Sequence, residues 1–133
     1  MKIDKSFNIK QIKEQFSSQF PYLKIELYSY EHEKNEGSSI DKQLKETVLL
    51  SELNPELSTA KVQIDPEMTV SNFEHLMQQD FGLNIQVFRK SNDLWLQTSS
   101  TDSWTLEKQN GKGERSTHDY DIDPVSIADF DVD

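Results

Sequence analysis

At 133 residues the chain fits one ordinary domain. Its 34 Leu, Ile, Val and Phe suffice for a modest core and exclude wholesale disorder. A formal charge of −10 disfavours a generic binder of nucleic acid or anionic membrane, and the absence of cysteine excludes disulfides, thiolate zinc sites and thiol nucleophiles. The start, Met1-Lys2-Ile3-Asp4, is too polar for a signal peptide, and no apolar run is long enough to span a bilayer. The expectation is a cytoplasmic protein with no membrane contact.

Along the chain, the first unit reads strand, helix, strand. Ile3 marks a short strand. Ile9, Ile12, Phe16 and Phe20 then form one helical stripe, which Asn8 starts with Gln11 three residues on, the spacing of a capping box. Pro21 ends that helix, and Leu23, Ile25 and Leu27 alternate as the inner face of a strand. From 31 to 46 the chain is polar and reads as a loop or insertion. Val48 to Leu50 suggests a short strand, and Ser51 to Leu57 a capped helical turn stopped by Pro55.

The opening pattern then returns. At an offset of 61, Ile3 falls on Ile64, Asp4 on Asp65, Ile9 on Val70, Ile12 on Phe73, Phe16 on Met77 and Phe20 on Phe81. After one deletion, Leu23, Ile25 and Leu27 meet Leu83, Ile85 and Val87. The spacing predicts a helix capped by Thr69 and closed by Gly82 in the left-handed region. A strand over 84–90 follows, and a two-residue turn at Asn92 and Asp93 returns into a strand over 94–98. Thr105 caps a short helix, Leu106 to Asn110, that Gly111 closes.

The fold expected is α+β: a two-layer sandwich with a mixed sheet and helices on one face. It is built from a duplicated β-α-β unit (about 1–30 and 61–98) plus a C-terminal hairpin strand. Residues 1–115 form this one domain. Residues 116–133 form an acidic tail with six aspartates and no lysine or arginine, so the body itself carries only −4.

Parity points to a candidate surface. If Leu23, Ile25, Leu27, Ile85 and Val87 face the helices, Tyr28, Tyr30 and Phe88 face away. A two-residue turn puts Trp95 beside Lys90 on that same face, whereas a three-residue bulged turn would move it inward. Either the face is covered within the chain, or it is a contact surface for a protein partner or a second copy. A base-stacking sheet next to Arg89 and Lys90 is the alternative, and the missing RNA-recognition consensus and the net charge both weigh against it. The acid and apolar residues that alternate from 119 to 133 form either a solvated end or a strand laid along a sheet edge or the aromatic face.

Catalytic and metal constellations are missing. His32, His75 and His118 are isolated, there is no nucleophile elbow, and Gly111-Lys112-Gly113 lacks the remaining glycine and hydroxyl of a phosphate loop. Asp119, Asp121 and Asp123 open like a calcium loop, but Pro124 stands where glycine is needed and Phe130 where glutamate should close the shell. No catalytic residue, metal ligand or cofactor is therefore assigned, and a non-enzymatic role is expected. The run from Phe81 to Ser91, with Leu94-Trp95-Leu96 and Thr101 to Asn110, resembles the C-terminal signature of a small bacterial family of uncharacterised proteins. That resemblance implies a bacterial cytoplasmic origin and transfers no site. It directs attention to Arg89, Trp95, Asp102, Trp104 and Gln109, where Trp104 is either part of a contact surface or a plug at the end of the core.

Overall fold

The computed structural model describes residues 1–29 and 42–118. In chain order it contains β1 (Lys2–Ile3), α1 (Ile9–Gln19), β2 (Leu23–Tyr28), α2 (Leu50–Leu53), β3 (Ala60–Lys61), α3 (Val70–Phe81), β4 (Asn84–Ser91), β5 (Leu94–Gln97) and α4 (Leu106–Thr117). The protein is α+β. Tyr30, His32, most of the polar insertion and the aspartates from Asp119 onward lie outside the described residues.

The local signals act as their chemistry dictates. Asn8 Oδ1 accepts from the Gln11 N–H at 3.0 Å while Gln11 Oε1 takes the Asn8 N–H at 2.8 Å, completing the capping box. Thr69 and Thr105 cap α3 and α4 in the same sense. Gly82 closes α3 at φ 64°, a left-handed conformation that a Cβ would strain.

Two sheets form, β1-β3 and β2-β4-β5, and every strand pair in them is antiparallel. The mixed sheet expected from two parallel crossovers is corrected here. The first strand of each unit pairs not with the strand after its own helix but with the first strand of the other unit. The pairing is reciprocal: Ile25 lies opposite Val87 and Leu27 opposite Ile85, with the aligned residues Glu26 and Gln86 facing each other in between. Met1 and Val62, also aligned, exchange both backbone hydrogen bonds at 2.6 and 2.7 Å. This exchange of partners is the pattern of an isologous contact, formed here inside one chain.

Helix starts are joined in pairs. The first two amides of a helix have no partner within it. Here Ile9 and Lys10 donate to the carbonyls of Val48 and Glu46, and Leu50 and Ser51 donate back to those of Phe7 and Lys5. The same four bonds recur when Val70 and Ser71 donate to Trp104 and Asp102, and Leu106 and Glu107 donate to Met68 and Pro66. The start of α1 is thus tied to that of α2, and the start of α3 to that of α4.

Three expectations change in detail. Val48 to Leu50 is no strand: Leu49 makes one bridge to Asn8, and α2 begins at Leu50. The 31–46 stretch is not loop throughout, since Gln43 bridges to Tyr28 and the Leu44 N–H donates to the Leu27 carbonyl at 2.8 Å. Gly111 does not close α4, which runs on through Gly113 to Thr117, past the boundary drawn at 115. Two internal glycines would each weaken an isolated helix by about 1 kcal/mol. Packing against the sheet offsets this, because at Gly113 the backbones approach so closely that a Cβ would lie 2.9 Å from that of Tyr22.

The core lies between the helices and one face of the larger sheet. Ile9, Ile12 and Phe16 of α1, Val70, Phe73 and Met77 of α3 and Leu106 of α4 cluster with Leu23, Ile25, Leu27, Ile85 and Val87. Phe16 and Phe73 join the two units, with ring centroids 5.2 Å apart.

Candidate interaction surface

The other face of the sheet carries the aromatic residues. Lys24 lies opposite Phe88, Phe88 opposite Gln97 and Lys90 opposite Trp95. A two-residue turn sets this register, with Asn92 at φ 54°, a region that Asn tolerates better than most side chains. Tyr28, Phe88, Lys90 and Trp95 therefore share the parity read from the sequence.

Their exposure differs along the face. Tyr28 is buried and its hydroxyl donates to Gln43 Oε1 at 3.3 Å, while Glu26 and Gln86 beside it are also buried. Phe88, about 9 % exposed, forms a floor. The open part is the hairpin end, where Leu94 is 66 % and Trp95 37 % exposed. The wide aromatic patch expected from parity thus contracts to Trp95 beside a buried phenyl ring, while Leu94, opposite Ser91, is exposed on the other side of the hairpin.

Lysines flank Trp95. The Lys24 ammonium sits 5.2 Å from the ring centres of both Phe88 and Trp95, and Lys90 sits 5.9 Å from Trp95. Each such contact contributes roughly 0.5–1 kcal/mol where water has access. The Glu26 carboxylate holds Lys24 in place at 3.0 Å and also takes Lys13 at 2.9 Å. Burial pulls the Lys13 ammonium down, but hydrogen bonds to Glu46 and Glu26 outweigh it and leave its pKa raised, so it stays charged. Glu46, on the exposed side of the same ammonium, is held below the usual carboxylate range by its hydrogen bond to Lys13. The surface at the hairpin is therefore an indole bordered by Lys90 and by Lys24, which Glu26 pairs.

Arg89 and Trp104 are not part of it. Arg89 has the parity of Leu23 and Val87, points to the helix side and is buried. Its Nη1 donates to Gln109 Oε1 at 2.9 Å, and Gln109 Nε2 donates to Thr101 at both the carbonyl oxygen, 2.9 Å, and Oγ1, 2.8 Å. Trp104 is half-buried beside this network, with Lys108 4.0 Å and Arg89 5.7 Å from its ring. Its carbonyl takes the first amide of α3, so it fastens one element to another. The adjacent pair Arg89 and Lys90 is thus split between opposite faces, and the basic residues that remain at the aromatics are Lys24 and Lys90.

A network of buried Arg89, Thr101 and Gln109 was not evident from the sequence. The one available hint was a basic residue, Arg89, at a position whose parity assigns it to the core.

Elsewhere among the described residues the Glu67 and Glu107 carboxyls share a hydrogen bond, which holds the Glu67 pKa above the usual carboxylate range. The described residues hold no group of three His, Asp or Glu able to bind a metal, and no helix among them is long and apolar enough to cross a membrane. His75 is exposed, and His118 Nε2 lies 2.9 Å from the Tyr22 hydroxyl. An open groove along α1, backed by Met1 and Phe7, carries one acid, Glu14, and no histidine. No protein-family profile, curated protein or solved structure matches the chain.

Proposed function

We propose that the protein is a non-enzymatic interaction module that contacts a protein partner through the tip of the β4-β5 hairpin, which presents Trp95, Lys24 and Lys90 on one face and Leu94 on the other. One observation carries this reading: of the large apolar residues exposed among those described, Leu49, Leu94 and Trp95, two meet at the tip of one hairpin. Trp is the side chain most enriched at contact centres, and charged rims around an apolar centre favour specific pairing. Lys90 at the edge of the indole favours a partner segment that offers a carboxylate beside an apolar side chain. In this reading the chain is a cytoplasmic bacterial protein of duplicated build, and the doubling supplies a rigid sheet on which the hairpin is presented.

A photo-crosslinking side chain placed at Leu94 in the full chain tests this directly. In the cells that make the protein it is expected to trap one discrete partner, or a second copy of the chain. The adduct should disappear in Trp95→Ala and weaken in Lys90→Glu. Adducts no different from those of a label at exposed His75 would overturn the reading.

A further inference from the structure

The two exposed residues of the hairpin lie on opposite sides of β5, so a partner laid against either face of the sheet would cover only one of them. A strand added at the edge covers both. β5 is an edge strand: it pairs with β4, and among the described residues no strand pairs its other side. The helices pack mainly on β2 and β4, and on their side of β5 Leu94 stays exposed. Protein edges are commonly blunted by lysine, proline or a bulge. Leu94-Trp95-Leu96-Gln97 has none of these, and its register with β4 runs without a break.

The backbone has the phase that edge pairing needs. The Lys90 N–H donates away from β5, to the Tyr22 carbonyl at 2.9 Å, so Lys90 and Trp95 form one of the pairs that exchange no hydrogen bond between β4 and β5. Trp95 therefore turns its N–H and its C=O to the outer edge.

A second copy fits that edge by symmetry. Two copies of one strand pair antiparallel about a two-fold axis normal to the sheet, which keeps each face on its own side, so residues set opposite each other have like parity. Centred on Trp95, the pairing sets Trp95 against Trp95 of the second copy, where the two outward N–H and C=O groups meet. Leu94 then lies against Leu96 of the second copy on the helix side. Asp93 falls opposite Gln97, in the row of Phe88 and Lys24, so an acid approaches the lysine side of each copy and no like charges are opposed. Centring on Leu96 would instead set Trp95 against Gln97 and Leu94 against Thr98, which is buried.

We infer that two copies of this chain pair through β5, Trp95 against Trp95, and join their three-stranded sheets into one antiparallel sheet. This rests on the interaction reading and deepens it by naming the partner. A four-residue edge makes a small contact, of the kind under about 1,200 Å² that marks weak association, and the −10 charge of each copy opposes it. Pairing is therefore concentration-dependent and tightens as salt screens the repulsion.

Light scattering of the full chain is expected to show the mass doubling as concentration rises. The Trp95 amide, fast to exchange with solvent in dilute solution, should gain protection in step. In a mixture of isotope-labelled and unlabelled chains, an intermolecular contact should appear between the Hα protons of Leu94 and Leu96, which this register brings together. Trp95→Pro removes the outward N–H at an edge position, where proline is tolerated, and Leu94→Lys sets a charge against Leu96 at a site already exposed. Each should leave a folded monomer at every concentration. A wild type that stays monomeric overturns the inference, as does a dimer that Leu94→Lys leaves intact. So does a Trp95 amide equally protected at all concentrations, because another part of the chain then pairs the edge. Crosslinking at position 94 keeps the two claims apart: a Trp95-dependent adduct with a different protein, while the pure chain stays monomeric, removes this inference and leaves the interaction surface standing.

Discussion

Replacing Gln109 by Leu is expected to destabilise the protein by about 3 kcal/mol, because buried polar groups left without partners each forfeit roughly 1–3 kcal/mol and a charged one more. Gln109 is wholly buried and serves three atoms at once: Arg89 Nη1, the Thr101 carbonyl and the Thr101 hydroxyl. Leucine matches its volume, so packing changes little and the loss falls on hydrogen bonding. Urea unfolding should show a lower midpoint at an unchanged slope. A midpoint shift worth under about 1 kcal/mol would mean that water reaches this cluster and that Arg89 is not held as described. Both partners lie in sequence near the hairpin, so the variant should also lower the protection of β5 amides against hydrogen exchange.

Gly113→Val is expected to cost at least about 3 kcal/mol, the upper end of overpacking penalties, because two of the three atoms it meets cannot swing away. A Cβ there lies 2.9 Å from Tyr22 Cβ, 3.0 Å from the Tyr22 carbonyl oxygen and 3.2 Å from Arg89 Cγ. α4 must lift from the sheet to accept it, and Asn110 Oδ1, which takes the Tyr22 N–H at 2.8 Å, moves with it. Gly111→Ala supplies the contrast two residues away. Its Cβ meets only the end of the flexible Arg115 side chain, at 3.3 Å. There the gain in helix propensity, up to about 1 kcal/mol, should prevail, giving an unchanged or raised Tm. Equal effects at both positions would contradict the close approach of α4 to β2.

These two sites mark where sequence reasoning stopped. Caps, strand parity and the hairpin turn were legible because each rests on residues close in the chain: Asn8 with Gln11, Thr69 with Asn72, and Asn92 between β4 and β5. The antiparallel exchange between the units was not, since a shared apolar pattern shows that two segments are alike but not which strand each will seek. The paired helix starts recur in the structure without a sequence repeat to announce them. At an offset of 56 only Leu50 and Leu106 agree between 48–52 and 104–108, although those are the segments whose helix starts pair with α1 and α3.

The candidate surface was half legible for a related reason. Period-two alternation placed Tyr28, Phe88, Lys90 and Trp95 on one face, and the register of β2, β4 and β5 agrees. Alternation carries no information about what else lies over a face, so the burial of Tyr28 and Phe88 could not be read from it. Arg89 was grouped with Lys90 because they are adjacent, whereas the strand geometry that paired the aromatics separates these two. Substitutions meant to probe the surface therefore belong at Leu94 and Trp95, because Phe88→Asp or Tyr28→Asp would bury a charge and report on folding.

The central claim is that Leu94 and Trp95 are exposed for contact and not for the sake of the fold. Equilibrium unfolding of the double variant Leu94→Ser/Trp95→Ser measures this most directly. Two exposed cation–π contacts, each worth roughly 0.5–1 kcal/mol, are lost, so stability should stay within about 2 kcal/mol of the wild type. A loss of about 4 kcal/mol or more, the scale of a truncated core residue, would show that the pair holds the sheet together and would contradict the account.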